Sequence, residues 1–146
     1  KSKGLHYGSI YKIKKRIFDF ENKSLAEKKI LKELKKDKIN LICLAGFMRI
    51  LSEKFIKNFK GKILNIHPSL LPKFKGLNTH QRAIKNKETY SGCTVHFVNS
   101  KLDSGKIILQ KRVKIYKYET SKSLAKKILV QEHKLYPKAI SKIFRL

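Results

Sequence analysis

Asn65 and His67 stand two apart in the run KILNIHP, immediately before Pro68. On an extended strand that spacing turns both side chains to one face. Proline has no amide hydrogen for a ladder, so the strand should stop there and leave both groups at its carboxyl end. An amide donor and a titratable imidazole in one pocket can stabilise the oxyanion of a tetrahedral intermediate and move a proton. Asp103, in the loop NSKLDSG, would bring a carboxylate to His67 and keep the ring in its proton-donating form. Spacing alone leaves plainer alternatives open. Asn65 and His67 also suit a hydrogen-bonded strand end with no catalytic role, and Asp before Ser-Gly is ordinary turn chemistry.

A second locus is Gly46-Phe47-Met48-Arg49-Ile50-Leu51 at the end of NLICLAGF, where a glycine permits close approach and exposed backbone groups can recognise a flat heterocycle. In a doubly wound sheet, ligands bind beyond the carboxyl ends of the strands, which is where both loci fall. His80, His96 and His133 occur singly and read as structural. With no HxxxH or HExxH among them, no metal site is expected. Ser69 and Ser104 lack a nucleophile-elbow context. Cys43 and Cys93, each among apolar neighbours and outside any CxxC spacing, read as buried free thiols in a reducing compartment.

The elements that must position these groups follow from periodicity. A weak strand is expected around Ile10 to Ile13, with the chain start reading as a turn. An S-x-x-E capping box of Ser24 and Glu27 precedes a helix with Ala26, Ile30, Leu31 and Leu34 on one side. The unbroken apolar run NLICLAGF suits a central parallel strand covered on both faces. A short helix over Ser52 to Phe59 leads to the KILNI strand, making a βαβ unit. Then come a helix from Thr79 to Asn86, the strand SGCTVHFVN, the turn SKLDSG and the strand KIILQKRVKI, the last two strands forming a hairpin. A helix from about Ser121 carries Leu124, Ile128, Leu135, Ala139 and Ile143 on one face, with Pro137 as a kink or break. The fold class is α/β, a doubly wound, mostly parallel sheet with an antiparallel C-terminal strand pair and a C-terminal helix.

With 146 residues, 41% hydrophobic and 10% aromatic, the chain has material for a core, which argues against disorder. No apolar run is long enough to span a bilayer, and KSKGLHYGSI lacks an apolar signal region, so a cytoplasmic, unexported protein is expected. The formal charge of +26 bears on association and solubility rather than on chemistry. Its lysines are spread over every segment, and no interleaved arginine and aromatic pattern for stacking bases is evident.

LAGFMRILS, ILNIHPSLLPKFKGLNTHQRAI, GCTVHFVNSKLDSGKIILQ and VQEHKLYP together resemble the phosphoribosylglycinamide formyltransferase family, in order and over nearly the whole chain. The resemblance implies transfer of a formyl group from 10-formyltetrahydrofolate, the co-substrate, to the amine of glycinamide ribonucleotide in purine synthesis. It implies no metal. By matched position, His67 is the catalytic acid, Asn65 the donor that holds the formyl oxygen, and Asp103 the carboxylate that assists His67 and relays protons. Met48, Arg49, Ile50 and Leu51 match the segment that binds the pterin, Val98 to Asp103 the loop that closes over it, and Glu132 a position that contacts the nucleotide. Lys23 stands where relatives often carry an arginine near the folate; it keeps the charge but loses the fork. Asn78 replaces a histidine seen in some members and Lys75 a proline.

The family begins with a strand and a glycine-rich turn whose amides hold the ribotide phosphate. No G-x-G-S-type turn occurs here and the first residue is Lys1, so residues 1–146 are expected to be a single formyltransferase domain lacking that unit. Formyltetrahydrofolate hydrolase and methionyl-tRNA formyltransferase share the strand-end Asn and His and the later Asp; HPSLLP, GLNTH and QEHKLYP point to the ribotide enzyme. A basic nucleic-acid-binding module would account for the charge but leave Asn65, His67 and Asp103 unexplained. Partners are then small molecules, with nucleic acid and membrane not expected, and monomer or homodimer equally open.

Overall fold

In the computed structural model, which describes residues 3–145, KILNIH forms a strand that stops at Pro68. The elements are α1 (Lys3–Ile10), α2 (Lys23–Lys36), β1 (Leu41–Leu44), α3 (Glu53–Asn58), β2 (Lys62–His67), α4 (Thr79–Lys85), β3 (Tyr90–Phe97), β4 (Ile107–Lys114) and α5 (Ser121–Phe144). They fall into two units, one ending at Lys38 and the other beginning at Ile39.

In the first unit, the weak strand expected near Ile10 to Ile13 is instead the end of α1. Ile13 N–H bonds back to Gly8 O and Lys12 N–H to Ser9 O, with Lys12 at φ 52°. That is a Schellman stop with lysine in the left-handed position where glycine is usual. The isoleucines suggested a strand, but local hydrogen bonding decided otherwise. The turn expected at the chain start falls partly on residues 1 and 2, outside the described residues; from residue 3 the backbone is helical. Helix α2 forms as expected, but its cap is Asn22, whose side chain accepts Leu25 N–H at 3.0 Å. Ser24 therefore lies inside the helix rather than heading a capping box, since an asparagine two positions earlier caps equally well. Lys14 bridges to Asp37 and Arg16 to Glu33.

The second unit is the α/β body. Its sheet runs β1-β2-β3-β4, with β1 and β2 parallel through the α3 crossover and Leu44 level with Asn65. The other two pairings are antiparallel, so the parallel share is smaller than expected. The reason lies after Pro68: Ser69 O and Leu71 N both bond to the Thr94 hydroxyl. The chain thus turns back over the carboxyl end of β2 and enters β3 from there. Strand β1 is short and, among the described residues, lies at the sheet edge rather than centrally; Gly46, at φ 65°, turns the chain away. Cys43 is accordingly exposed, against expectation, while Cys93 is buried.

Alternation on β3 divides the sheet. Cys93 and Val95 pack with Leu124, Ile128, Leu135 and Ala139 of α5 as the core, leaving Thr94 and His96 on the other face beside β2. Pro137 does not break α5, which is continuous from Ser121 to Phe144. Proline costs a helical hydrogen bond, but Leu135 and Ala139, 8% and 0% exposed, anchor the helix on both sides of it. Tyr136 O–H donates to Leu44 O at 2.8 Å and Leu64 O at 3.2 Å, tying α5 to β1 and β2. No helix among the described residues is long and apolar enough to cross a membrane.

The fully buried Thr94 hydroxyl donates to Ser69 O at 2.7 Å and accepts from Leu71 N–H at 3.1 Å and Gln110 Nε2 at 2.8 Å. Thr94→Val keeps the shape and strands those partners. It should cost about 2–4 kcal/mol of stability, read as a lower urea midpoint at unchanged denaturant slope.

Candidate active site

Asn65 and His67 face the same way from β2, opposite His96 and Thr94 of β3 in the antiparallel register. His67 is 6% exposed. Its Nδ1 lies 3.3 Å from Asp103 Oδ2 and its Nε2 2.9 Å from Phe74 O. Both ring nitrogens therefore face acceptors, the arrangement a proton-donating imidazolium uses. The structure thus brings together the strand-end histidine and the loop aspartate, far apart in sequence.

Asp103 is held in place from several sides. Its side chain is 8% exposed, its Oδ2 accepts Gly76 N–H at 2.9 Å, and its backbone sits at φ 43°. A non-glycine residue there is strained by about 1–2 kcal/mol, which these bonds offset. The turn closes through Gly105, where a Cβ would stand 1.6 Å from Phe97 O. Only glycine lets the LDSG loop fold back over the sheet face.

His96, set aside as structural by its sequence context, belongs to the site. It is 2% exposed, with Nδ1 2.8 Å from Phe97 O, Nε2 3.3 Å from Asn65 Nδ2 and Nε2 3.7 Å from Asp103 Oδ1. A carbonyl can only accept, so Nδ1 carries the proton. Burial keeps the ring neutral by pushing its pKa down, against the smaller pull of the Phe97 carbonyl and Asp103. Nε2 then accepts from the Asn65 amide, which fixes that amide's nitrogen toward His96 and leaves its second N–H for another acceptor. The sequence signal is the alternation in TVHFV, readable only once β3 is known to pair antiparallel with β2. His80 also lies close enough for the His67 charge to lower its pKa, after burial, and its Nδ1 is buried without a hydrogen-bond partner.

The remaining expected residues are spread over other elements. Met48 and Ile50 are exposed and Leu51 is buried, just beyond the carboxyl end of β1; Arg49 is exposed beside them. Val98 N–H bonds to Ile63 O at 2.8 Å, prolonging the β2–β3 ladder. Glu132 is half-buried on α5, on the core side of the sheet, where burial pushes its carboxyl pKa up. It faces Cys93, whose thiol burial pushes up to about 12. Lys23 is the exposed first residue of α2, in the first unit.

The family model described as "Formyl transferase" matches residues 3–140. The chain is 50% identical over 102 residues to the trifunctional purine biosynthetic protein adenosine-3 of Homo sapiens, covering 70% of this chain and 10% of that protein. It is 39% identical over 122 residues to the phosphoribosylglycinamide formyltransferase of Escherichia coli, covering 84% of this chain and 58% of the relative. A crystal structure of phosphoribosylglycinamide formyltransferase from Anaplasma phagocytophilum superposes with a TM-score of 0.91 at 43% identity, over 98% of this chain and 69% of that one. The chain thus spans between about a tenth and three-fifths of the curated relatives it matches.

The depressed pKa values of His96 and His80, below the ordinary 6.5, make stability depend on pH. Below pH 6.5 the unfolded chain binds protons that the folded one refuses. Their contribution is therefore complete above that value and lost as pH falls. The urea midpoint should drop between about pH 7 and 5, and less steeply in His96→Gln, whose side chain does not titrate.

Proposed function

We propose, from the premise that the chain belongs to the formyl transferase family, that it moves the formyl group of 10-formyltetrahydrofolate to the amine of glycinamide ribonucleotide in purine synthesis. The observation that carries the site assignment is the buried 3.3 Å contact of His67 with Asp103, with Asn65 on the same strand face.

In this reading the substrate amine adds to the formyl carbon and negative charge develops on the formyl oxygen. The second N–H of Asn65 meets that oxygen. Its direction is set by His96, and an oriented donor of this kind stabilises the transition state without reorganising. The amine must lose a proton and the departing folate nitrogen must gain one; His67 transfers the proton, and Asp103 balances the imidazolium charge. Because His67 Nε2 is bonded to Phe74 O, donation from that nitrogen exchanges this one bond for one to the folate nitrogen while the segment around Phe74 keeps its place.

Met48, Arg49, Ile50, Leu51 and Val98 would line the folate site, the exposed Met48 offering a soft apolar surface to a flat ring. Glu132 would contact the nucleotide. Lys23 enters as a folate contact on the resemblance alone. The same reading assigns residues 1–146 to a formyltransferase domain.

Formyl transfer by the chain, measured with and without glycinamide ribonucleotide, should depend on the ribotide. It should fall about 10²–10⁴-fold in His67→Ala and about 10²–10³-fold in Asn65→Ala. Ribotide-independent release of formate would instead make the chain a hydrolase.

A further inference from the structure

Residues 74–77 are fastened alternately in two directions. Phe74 O accepts from His67 Nε2 and Gly76 N–H donates to Asp103 Oδ2, both at 2.9 Å. Between and after them, Arg82 Nη1 donates to Lys75 O at 2.6 Å and to Leu77 O at 3.3 Å. The guanidinium carbon also stands 5.3 Å from the centre of the Phe74 ring. A single side chain on α4 therefore grips two carbonyls and one ring of the segment whose other two groups hold His67 and Asp103.

The segment needs an outside support. Phe74, Gly76 and Asn78 lie at φ 55°, 77° and 56°; glycine and asparagine accept such values, but a phenylalanine there is strained. Left alone, residues 74–78 would favour other shapes and move Phe74 O and Gly76 N–H with them. Arg82 is well placed to prevent this: its own N–H bonds to Asn78 O at 2.9 Å, and the next residue, Ala83, is 0% exposed. Lys75 Nζ adds a tie to Ser104 Oγ at 2.6 Å, beside Asp103.

We propose that Arg82 is a positioning residue: its guanidinium clamps residues 74–77 and thereby fixes His67 and Asp103 relative to each other. A planar guanidinium can donate to two carbonyls while stacking on a ring, and a lysine ammonium cannot do all three.

The kinetic part of the test rests on the transferase reading, so a second readout needs no substrate. Gly76 amide hydrogen exchange should be about tenfold faster in Arg82→Met than in the unaltered chain, intermediate in Arg82→Lys, and unchanged at β3 amides. In the formyl-transfer assay kcat should fall about 10- to 100-fold in Arg82→Met, with KM for both substrates within about threefold. Added guanidinium ion should restore part of that kcat. Faster Gly76 exchange in a chain that transfers no formyl group would support the clamp and remove the transferase reading instead. The clamp is overturned if Gly76 exchange and kcat both stay within about twofold, if exchange rises equally throughout β3, or if guanidinium restores nothing. Arg82→Lys serves the same comparison if Arg82→Met does not fold.

Discussion

A carboxylate taken out of water must be bonded on every side that water has left, and Asp103 is such a group. Its bonding partners are the His67 ring and the Gly76 amide. They come from different parts of the chain: the end of β2 and the loop before α4. The loop that brings Asp103 there must fold back over the sheet, which requires its left-handed backbone and the bare Gly105. Much of the geometry on this face of the sheet follows from satisfying that one charge.

The sheet supplies the second half of the arrangement. Because β3 enters beside the end of β2 and runs the other way, Asn65 meets His96 and His67 meets Thr94 on one face. The opposite face, through Cys93 and Val95, is taken by α5. A one-residue slip would exchange the two faces, sending the polar set into the core. The apolar packing of α5 and the hydrogen bonds of Thr94 thus guard the same register, one from each side. Stability and the candidate chemistry are coupled here through register rather than through shared side chains.

Where the sequence was legible, the signal was local. Pro68 marked the end of β2, Ser52 the start of α3, and the apolar spacing of Leu124, Ile128, Leu135 and Ala139 the buried face of α5. Where it misled, a nearby residue outweighed the pattern: Lys12 took the left-handed stop of α1, Asn22 capped α2 ahead of Ser24, and Gly46 cut β1 short. His96 was illegible for another reason. Its partners, Asn65 and Asp103, are set by strand pairing and a loop crossing, which a single sequence does not display. The alternation of the Arg82 contacts in residues 74–77 is equally a product of a folded loop.

The charge of +26 acts at longer range than these contacts. The sequence suggested no pattern of cations interleaved with aromatic rings, yet the fold sets Arg112 over the Tyr90 ring at 4.1 Å and Lys127 over Tyr116 at 4.6 Å. These pairs lie at the end of β4 and the start of α5, where they brace local surface, each by about 0.5–1 kcal/mol at exposed sites. Both proposed substrates are anions, through a phosphate or through glutamate carboxylates. A strongly positive surface raises their local concentration and speeds encounter, an effect that salt screens within about 10 Å. It acts equally on every anion, so it cannot select among them. Selection requires fixed contacts at short range, of the kind seen in the buried cluster, where the Asn65 amide and the His67 ring are oriented by neighbours that solvent cannot screen.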